Sequence, residues 1–164
     1  MRGVTELFRD VARAKQRLSL EECISLLKSE KRGVLSVIGD DGYPYGLPIN
    51  HYYNEEDGRL YFHSGKSGHK TDAIKNCDKI SFCLIDKGNH TDDTWALSFR
   101  SVIVFGRAEI VDDKETAVEM SRRLSYKFTD DSEYIENEIR QFASGVLVFA
   151  LIPEHITGKR VREA

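Results

Sequence analysis

Apolar positions along the chain recur with two different periods. Leu20, Cys23, Ile24 and Leu27 lie at helical spacing behind Ser19, and Glu22 completes a capping box, so a helix is predicted that ends near Gly33. After it the period shortens to two. Residues 33–40 (GVLSVIGD) form a β-branched run, and Asp41-Gly42 is a strong hairpin turn leading into YPYGLPINHYY. In that return strand Tyr43, Tyr45, Leu47, Ile49, His51 and Tyr53 share one face, while Pro44, Gly46, Pro48 and Asn50 share the other. A strand carrying two prolines cannot pair fully on both sides, so it is an edge or is interrupted for a ligand. A second turn, NEEDG at 54–58, precedes the strand RLYFHS.

Farther along, Ser67 can cap a helix over 68–76, and the next alternating run, KISFCLI, starts at Lys79. Residues 95–111 (WALSFRSVIVFGRAEIV) are too many for one flat strand, and Gly106 is the natural bend. Helices are predicted over 113–126 and 132–142, each behind a capping Asp or Ser, and GVLVFALI at 145–152 supplies a buried strand that Pro153 ends. About six strands, mostly hairpin-linked with helices set aside, predict a mainly β fold: a small antiparallel barrel with accessory helices. Residues 1–18 read as an N-terminal arm or helix and 19–164 as a single domain.

Composition narrows the function classes. The chain has 164 residues, 40% apolar and 31% charged, with a net charge of -3, so nothing global favours nucleic acid or an anionic membrane as partner. Any anion site must be local. Three cysteines (Cys23, Cys77, Cys83) are odd in number and form no C-x-x-C, which fits a reducing cytoplasm. The first residues hold no apolar core of signal-peptide length, and no run of about eighteen apolar residues predicts a membrane span.

The stretch 60–74, LYFHSGKSGHKTDAI, concentrates the candidate chemistry. Gly65-Lys66-Ser67 ends like a nucleotide-binding P-loop, but Leu60 stands where the first glycine belongs, and His69-Lys70-Thr71 lacks the glycine before its lysine. The broader ingredients of a phosphate cradle are nevertheless present: a helix start, flexible glycines, the hydroxyls of Ser64, Ser67 and Thr71, and the cations Lys66 and Lys70. Composition alone leaves a solvated turn equally open. The five histidines (His51, His63, His69, His90, His155) show no metal-ligand spacing, so no metal site is expected. Cys83 falls inside a predicted strand as packing, and Cys77 is the more exposed thiol; neither has a base partner. Without a basic stripe, the aromatic residues belong to the core rather than to a nucleic-acid platform.

Taken in order, these pieces resemble the FMN-binding split barrels related to pyridoxamine 5'-phosphate oxidase, and within them the branch named for 5-nitroimidazole antibiotic resistance. The resemblance covers about Leu20 to Lys159 and rests on G-V-L-S-V-I, D-G-Y-P-Y-G-L-P-I-N, L-Y-F-H-S-G-K-S-G-H-K-T-D-A-I, R-S-V-I-V-F-G-R-A-E-I-V and I-T-G-K in sequence. It implies a six-stranded antiparallel split barrel that forms a homodimer, with FMN in clefts between the subunits. It also implies phosphate contacts from His63, Ser64, Gly68, His69 and Lys70, where His69 replaces an arginine and Lys66 stands near enough to compensate. Arg100, Ser101 and Val102 correspond to the segment passing beneath the cofactor, and Pro48, Ile49, Asn50 and His51 to the strand along the flavin ring. A missing donor at Pro48 leaves backbone groups that a heteroaromatic ring can satisfy, which gives that proline a reason independent of the resemblance.

The function so implied is electron transfer, as hydride or singly, to a small acceptor such as a nitroaromatic or quinone, with His51 and His63 the polar groups expected to meet substrate. Pyridoxamine phosphate oxidation itself is not implied, because the end, HITGKRVREA, lacks the Arg-x-x-x-Arg-Leu-x-Pro pattern of those oxidases. A non-enzymatic flavin- or haem-binding barrel is the other reading.

Overall fold

The computed structural model describes residues 8–90 and 95–163. Helix α1 (Leu20–Ser29) begins at the predicted capping box: the Glu22 N–H donates to Ser19 Oγ at 3.1 Å and the Ser19 N–H to Glu22 Oε2 at 2.8 Å. It buries Cys23, Leu26 and Leu27 and stops at Ser29, earlier than expected. Strand β1 (Arg32–Ile38) turns through Asp41 (φ 55°) and Gly42 (φ 78°), both left-handed as the primed hairpin turn requires, into β2 (Pro44–Asn50).

There the return strand breaks at His51 before β3 (Tyr52–Asn54). The remaining elements are β4 (Arg59–Gly65), α2 (His69–Asn76), β5 (Lys79–Ile85), the two-residue β6 (Asn89–His90), β7 (Leu97–Ile110), α3 (Lys114–Tyr126), α4 (Ser132–Phe142) and β8 (Val146–Arg162). The antiparallel order is β2-β1-β5-β7-β8-β4-β3, with β6 beside β7. Because one residue joins β2 to β3, the two ends of that order are one stretch of chain, and the sheet curls into a split barrel. The count of eight strands among the described residues, against the expected six, follows from the break at His51 and from β6.

Inside the barrel lie Leu35, Leu60, Phe62, Phe82, Val102, Val104, Phe149 and Leu151, all almost wholly buried. Outside it, Met120 of α3 packs with Tyr61, Val148 and Ala150, covering the β4–β8 side. Strand β7 bends where predicted: the register with β8 slips between Phe105 and Gly106, and a Cβ on Gly106 would stand 2.0 Å from the Ile152 carbonyl oxygen.

Three expectations need correction. Pro153 does not end the last strand, which runs to Arg162; the proline sits at the bulge, where the ladder skips a partner. Gly68, not Ser67, is the N-cap of α2, its φ of 119° being open to glycine alone. Cys83 is exposed and Cys77 half-buried, the reverse of what was expected, because Cys83 lies on the outer face of β5 with the exposed Lys79 and Ile85. No helix among the described residues is long and apolar enough to cross a membrane.

Candidate functional site

Strand β4 delivers His63 and Ser64 to opposite faces, Ser64 on the Phe62 side and His63 on the Tyr61 side beneath α3. Beyond Gly65 the chain turns sharply into α2. Thr71 Oγ1 donates to the Gly65 carbonyl at 3.1 Å, which fixes the turn, and no side chain caps the helix, so the first amide groups of α2 remain available. Lys70 is half-buried beside them, and burial lowers its pKa. Among the described residues neither Lys70 nor Lys66 has a carboxylate within 4.0 Å. A half-buried, unpaired ammonium next to unpartnered amides is a site for an anion. Partial burial and then the Lys70 charge hold His63 below the ordinary histidine pKa.

His69 points elsewhere. Its ring stacks on Tyr45 of β2, and Nε2 lies 3.7 Å from Asp40 Oδ2. The loop is thereby tied to β2, an edge strand whose outer backbone groups have no neighbour in the sheet. Pro48 lies exposed on that edge, with Ile49 and Asn50 half-buried after it, paired to Val34, Gly33 and Arg32.

The His51 side chain, expected to meet cofactor and substrate, points into the core instead. It is 0% exposed, Nε2 donates to the Leu27 carbonyl at 2.8 Å, and the ring tilts against Phe82. Burial, and then the charge of Lys127, pushes its pKa down to about 3. Val102 is likewise wholly buried, so its side chain is core. Arg100 donates its backbone N–H and Nε to Asp86 at 2.9 and 2.8 Å, a pairing invisible in the sequence. Those hydrogen bonds outweigh burial and lower the Asp86 pKa.

Ser101 faces outward, far from the loop. Ser64 pairs with Leu147 of β8 and Ser101 with Lys159, twelve residues apart on the same strand, or about 40 Å of strand contour. The ladder thus sets the two serines near opposite ends of β8. Tyr45 and Asp40 are the residues that sequence reasoning missed, because nothing local marks a stack between a hairpin and a helix 24 positions on. No metal-binding group of His, Cys, Asp and Glu occurs among the described residues.

Residues 19–160 match the family described as pyridoxamine 5'-phosphate oxidase. The chain belongs to that family. No curated protein matches it. Similar solved structures include a protein of Bacteroides thetaiotaomicron provisionally assigned to 5-nitroimidazole antibiotic resistance, 20% identical with a TM-score of 0.72 over 89% of this chain and 87% of that one. An FAD-binding protein of Mycobacterium smegmatis is 22% identical with a TM-score of 0.59, over 90% of this chain and 99% of that one. An FAD- and haem-binding protein of the same organism is 18% identical with a TM-score of 0.70, over 88% and 72%. At such identities these likenesses speak to the fold.

Proposed function

We propose that the protein is a flavoprotein oxidoreductase that holds the flavin phosphate at the β4–α2 loop and passes electrons to a small acceptor such as a nitroaromatic or quinone. FMN is the smallest flavin that carries the phosphate. The observation that carries the proposal is Lys70, half-buried and without a carboxylate beside the open amides of α2. Ser64 donates its hydroxyl there, Lys66 adds charge, and Gly68 lets the backbone approach. The ring lies along Pro48–Asn50, whose outer backbone groups it satisfies. Bound flavin supplies the redox chemistry, while the chain orients it and presents His63 at its margin.

Ser64 and Ser101 pair with β8 twelve residues apart, which supports a cleft whose second wall is Ser101 of the partner subunit. The outer faces of β1, β5 and β7 supply that interface, with Val34, Ile85, Ile103 and Phe105 exposed. Three free cysteines suit a reducing cytoplasm.

The test is the visible spectrum of the purified protein followed by flavin titration. A yellow protein is expected, and Lys70→Ala should weaken flavin binding about tenfold or more, on the order of 1.4 kcal/mol. Unchanged affinity in that variant removes the phosphate assignment. A flavin that neither NADH nor NADPH reduces, and that passes no electrons to nitroaromatics, favours a non-enzymatic binder. A Soret band favours haem, which the M. smegmatis FAD- and haem-binding neighbour makes worth measuring.

A further inference from the structure

Helices α3 and α4 are clamped together at one level and stand apart beside it. Arg122 donates Nε and Nη2 to the two carboxylate oxygens of Glu136, and its Nη1 to Glu119 on its own helix. Alongside this clamp a cavity of about 560 Å³ lies between the two helices and the β4–β8 sheet. Small side chains make the room for it: Ala117, Ser121 and Ser125 recur along α3 at helical spacing. Ser121 Oγ donates to the Ala117 carbonyl at 2.8 Å and Ser125 Oγ to the Ser121 carbonyl at 2.9 Å, so both hydroxyls are already bonded within the helix. The remaining inner walls are apolar, with Val148 buried and Val118, Ile139 and Val146 half-buried. Hydrocarbon fills such a hollow favourably, whereas an ordered water needs two or more polar partners.

Charge gathers among the exposed residues of the wall. Lys66 comes from the β4–α2 loop and Lys114 is the first residue of α3, and neither has a carboxylate within 4.0 Å among the described residues. Glu138 is the one carboxylate on the wall, so the two ammonium groups leave an excess of a single positive charge. Phe142 of α4 adds a ring that is 55% exposed. An apolar interior, one net positive charge at the margin and a bare aromatic edge match a ligand with a hydrocarbon body and one negative head. Lysine suits such a head, because its ammonium acts as a compact point charge rather than a planar fork.

We propose that this hollow binds a medium-chain monocarboxylic acid, with the chain among Val118, Ile139, Val146 and Val148 and the carboxylate on Lys114 and Lys66. The site is separate from the flavin phosphate and does not depend on it: the hollow lies on the His63 face of β4, and Ser64 faces the other way. Its volume falls within the roughly 300–1,000 Å³ of pockets that hold small molecules. An acid seated there covers the exposed edge of Phe142 and gives both lysines the anion they lack.

The experiment is isothermal titration calorimetry of the full chain, as purified, with decanoate, hexanoate, acetate and 1-decanol. Decanoate is expected to bind one per chain, about tenfold or more tightly than either acetate or 1-decanol, and hexanoate to fall between decanoate and acetate. Lys114→Gln, at an exposed residue, should bring decanoate down to the affinity of 1-decanol and leave the alcohol unchanged. Val118→Trp, which fills the hollow, should abolish binding of both, with the thermal unfolding midpoint confirming that the variant is folded. Decanoate binding no tighter than acetate overturns the proposal, as does an alcohol that binds as tightly as the acid. Decanoate binding that both variants leave unchanged overturns it as well, since the acid then sits elsewhere. A colourless protein that binds decanoate in this way would remove the flavin reading and leave this site standing.

Discussion

The His69 ring lies on the Tyr45 ring, centroids 4.2 Å apart and planes 15° apart, and this contact joins the first turn of α2 to β2 across the split of the barrel. The stack turns the imidazole towards β2 and ties the loop to that strand. His69→Ala should lose the roughly 0.5–1.5 kcal/mol of an aromatic pair and weaken flavin binding through a looser loop. His69→Phe keeps the stack and should keep the affinity. Flavin titration of the two variants decides it: equal weakening in both would make His69 a direct phosphate ligand.

His51 makes stability depend on acidity. Its folded pKa is about 3 against 6.5 when free, so the folded state excludes a proton that the unfolded chain accepts. The stabilisation is complete above pH 6.5 and is lost as pH falls from there towards 3, at up to about 1.4 kcal/mol per pH unit. Urea unfolding at a series of pH values should show that slope, and His51→Gln should flatten it. A variant with the same slope as the natural chain would assign the acid sensitivity to other groups.

Much of this fold was legible where one residue's chemistry settles one local conformation. Ser19 with Glu22, Asp41-Gly42 and Gly106 announce a helix start, a hairpin and a bend, and each is found there. What failed depends on which segment lies alongside. Pro153 looks like a terminator until a bulge opposite Gly106 accommodates it, and His51 looks like an active-site group until Leu27 and Phe82 enclose it. Ser64 and Lys70 stand together in the sequence because the loop is contiguous, whereas the stack of Tyr45 on His69 joins two stretches that only the fold brings side by side. Nor does sequence order reveal that Ser101 and Ser64 pair with β8 at positions so far apart.

Gly106 allows a direct test of the bend. A methyl group there meets backbone, the Ile152 carbonyl oxygen at 2.0 Å, and backbone cannot rotate away as a side chain can. Gly106→Ala should destabilise the protein by about 3 kcal/mol or more, beyond ordinary overpacking. Gly42→Ala is the control: its φ of 78° is strained for alanine but the surroundings are open, so a loss of about 1 kcal/mol is expected. Thermal unfolding of both variants checks the contrast, and similar losses would mean that β8 shifts easily at the bulge.

The outer sheet face predicts how copies of the chain associate. Val34 pairs with Cys83 and Cys83 with Ile103, so three neighbouring strands place these side chains in one row, with Pro48 continuing it at the edge. Val34 is 43% and Ile103 39% exposed, and α3 packs on the opposite, β4–β8 side. A patch of this kind is what a homodimer buries, at about 800 Å² per partner for a stable interface. Ile103→Arg puts a charge in the middle of it without touching the barrel interior. Analytical ultracentrifugation at micromolar concentration should show a dimer for the natural chain and a monomer for the variant, and flavin affinity should fall with dissociation, because Ser101 of the partner subunit leaves the cleft. A natural chain that sediments as a monomer and still binds flavin tightly would place the whole cofactor site within one subunit.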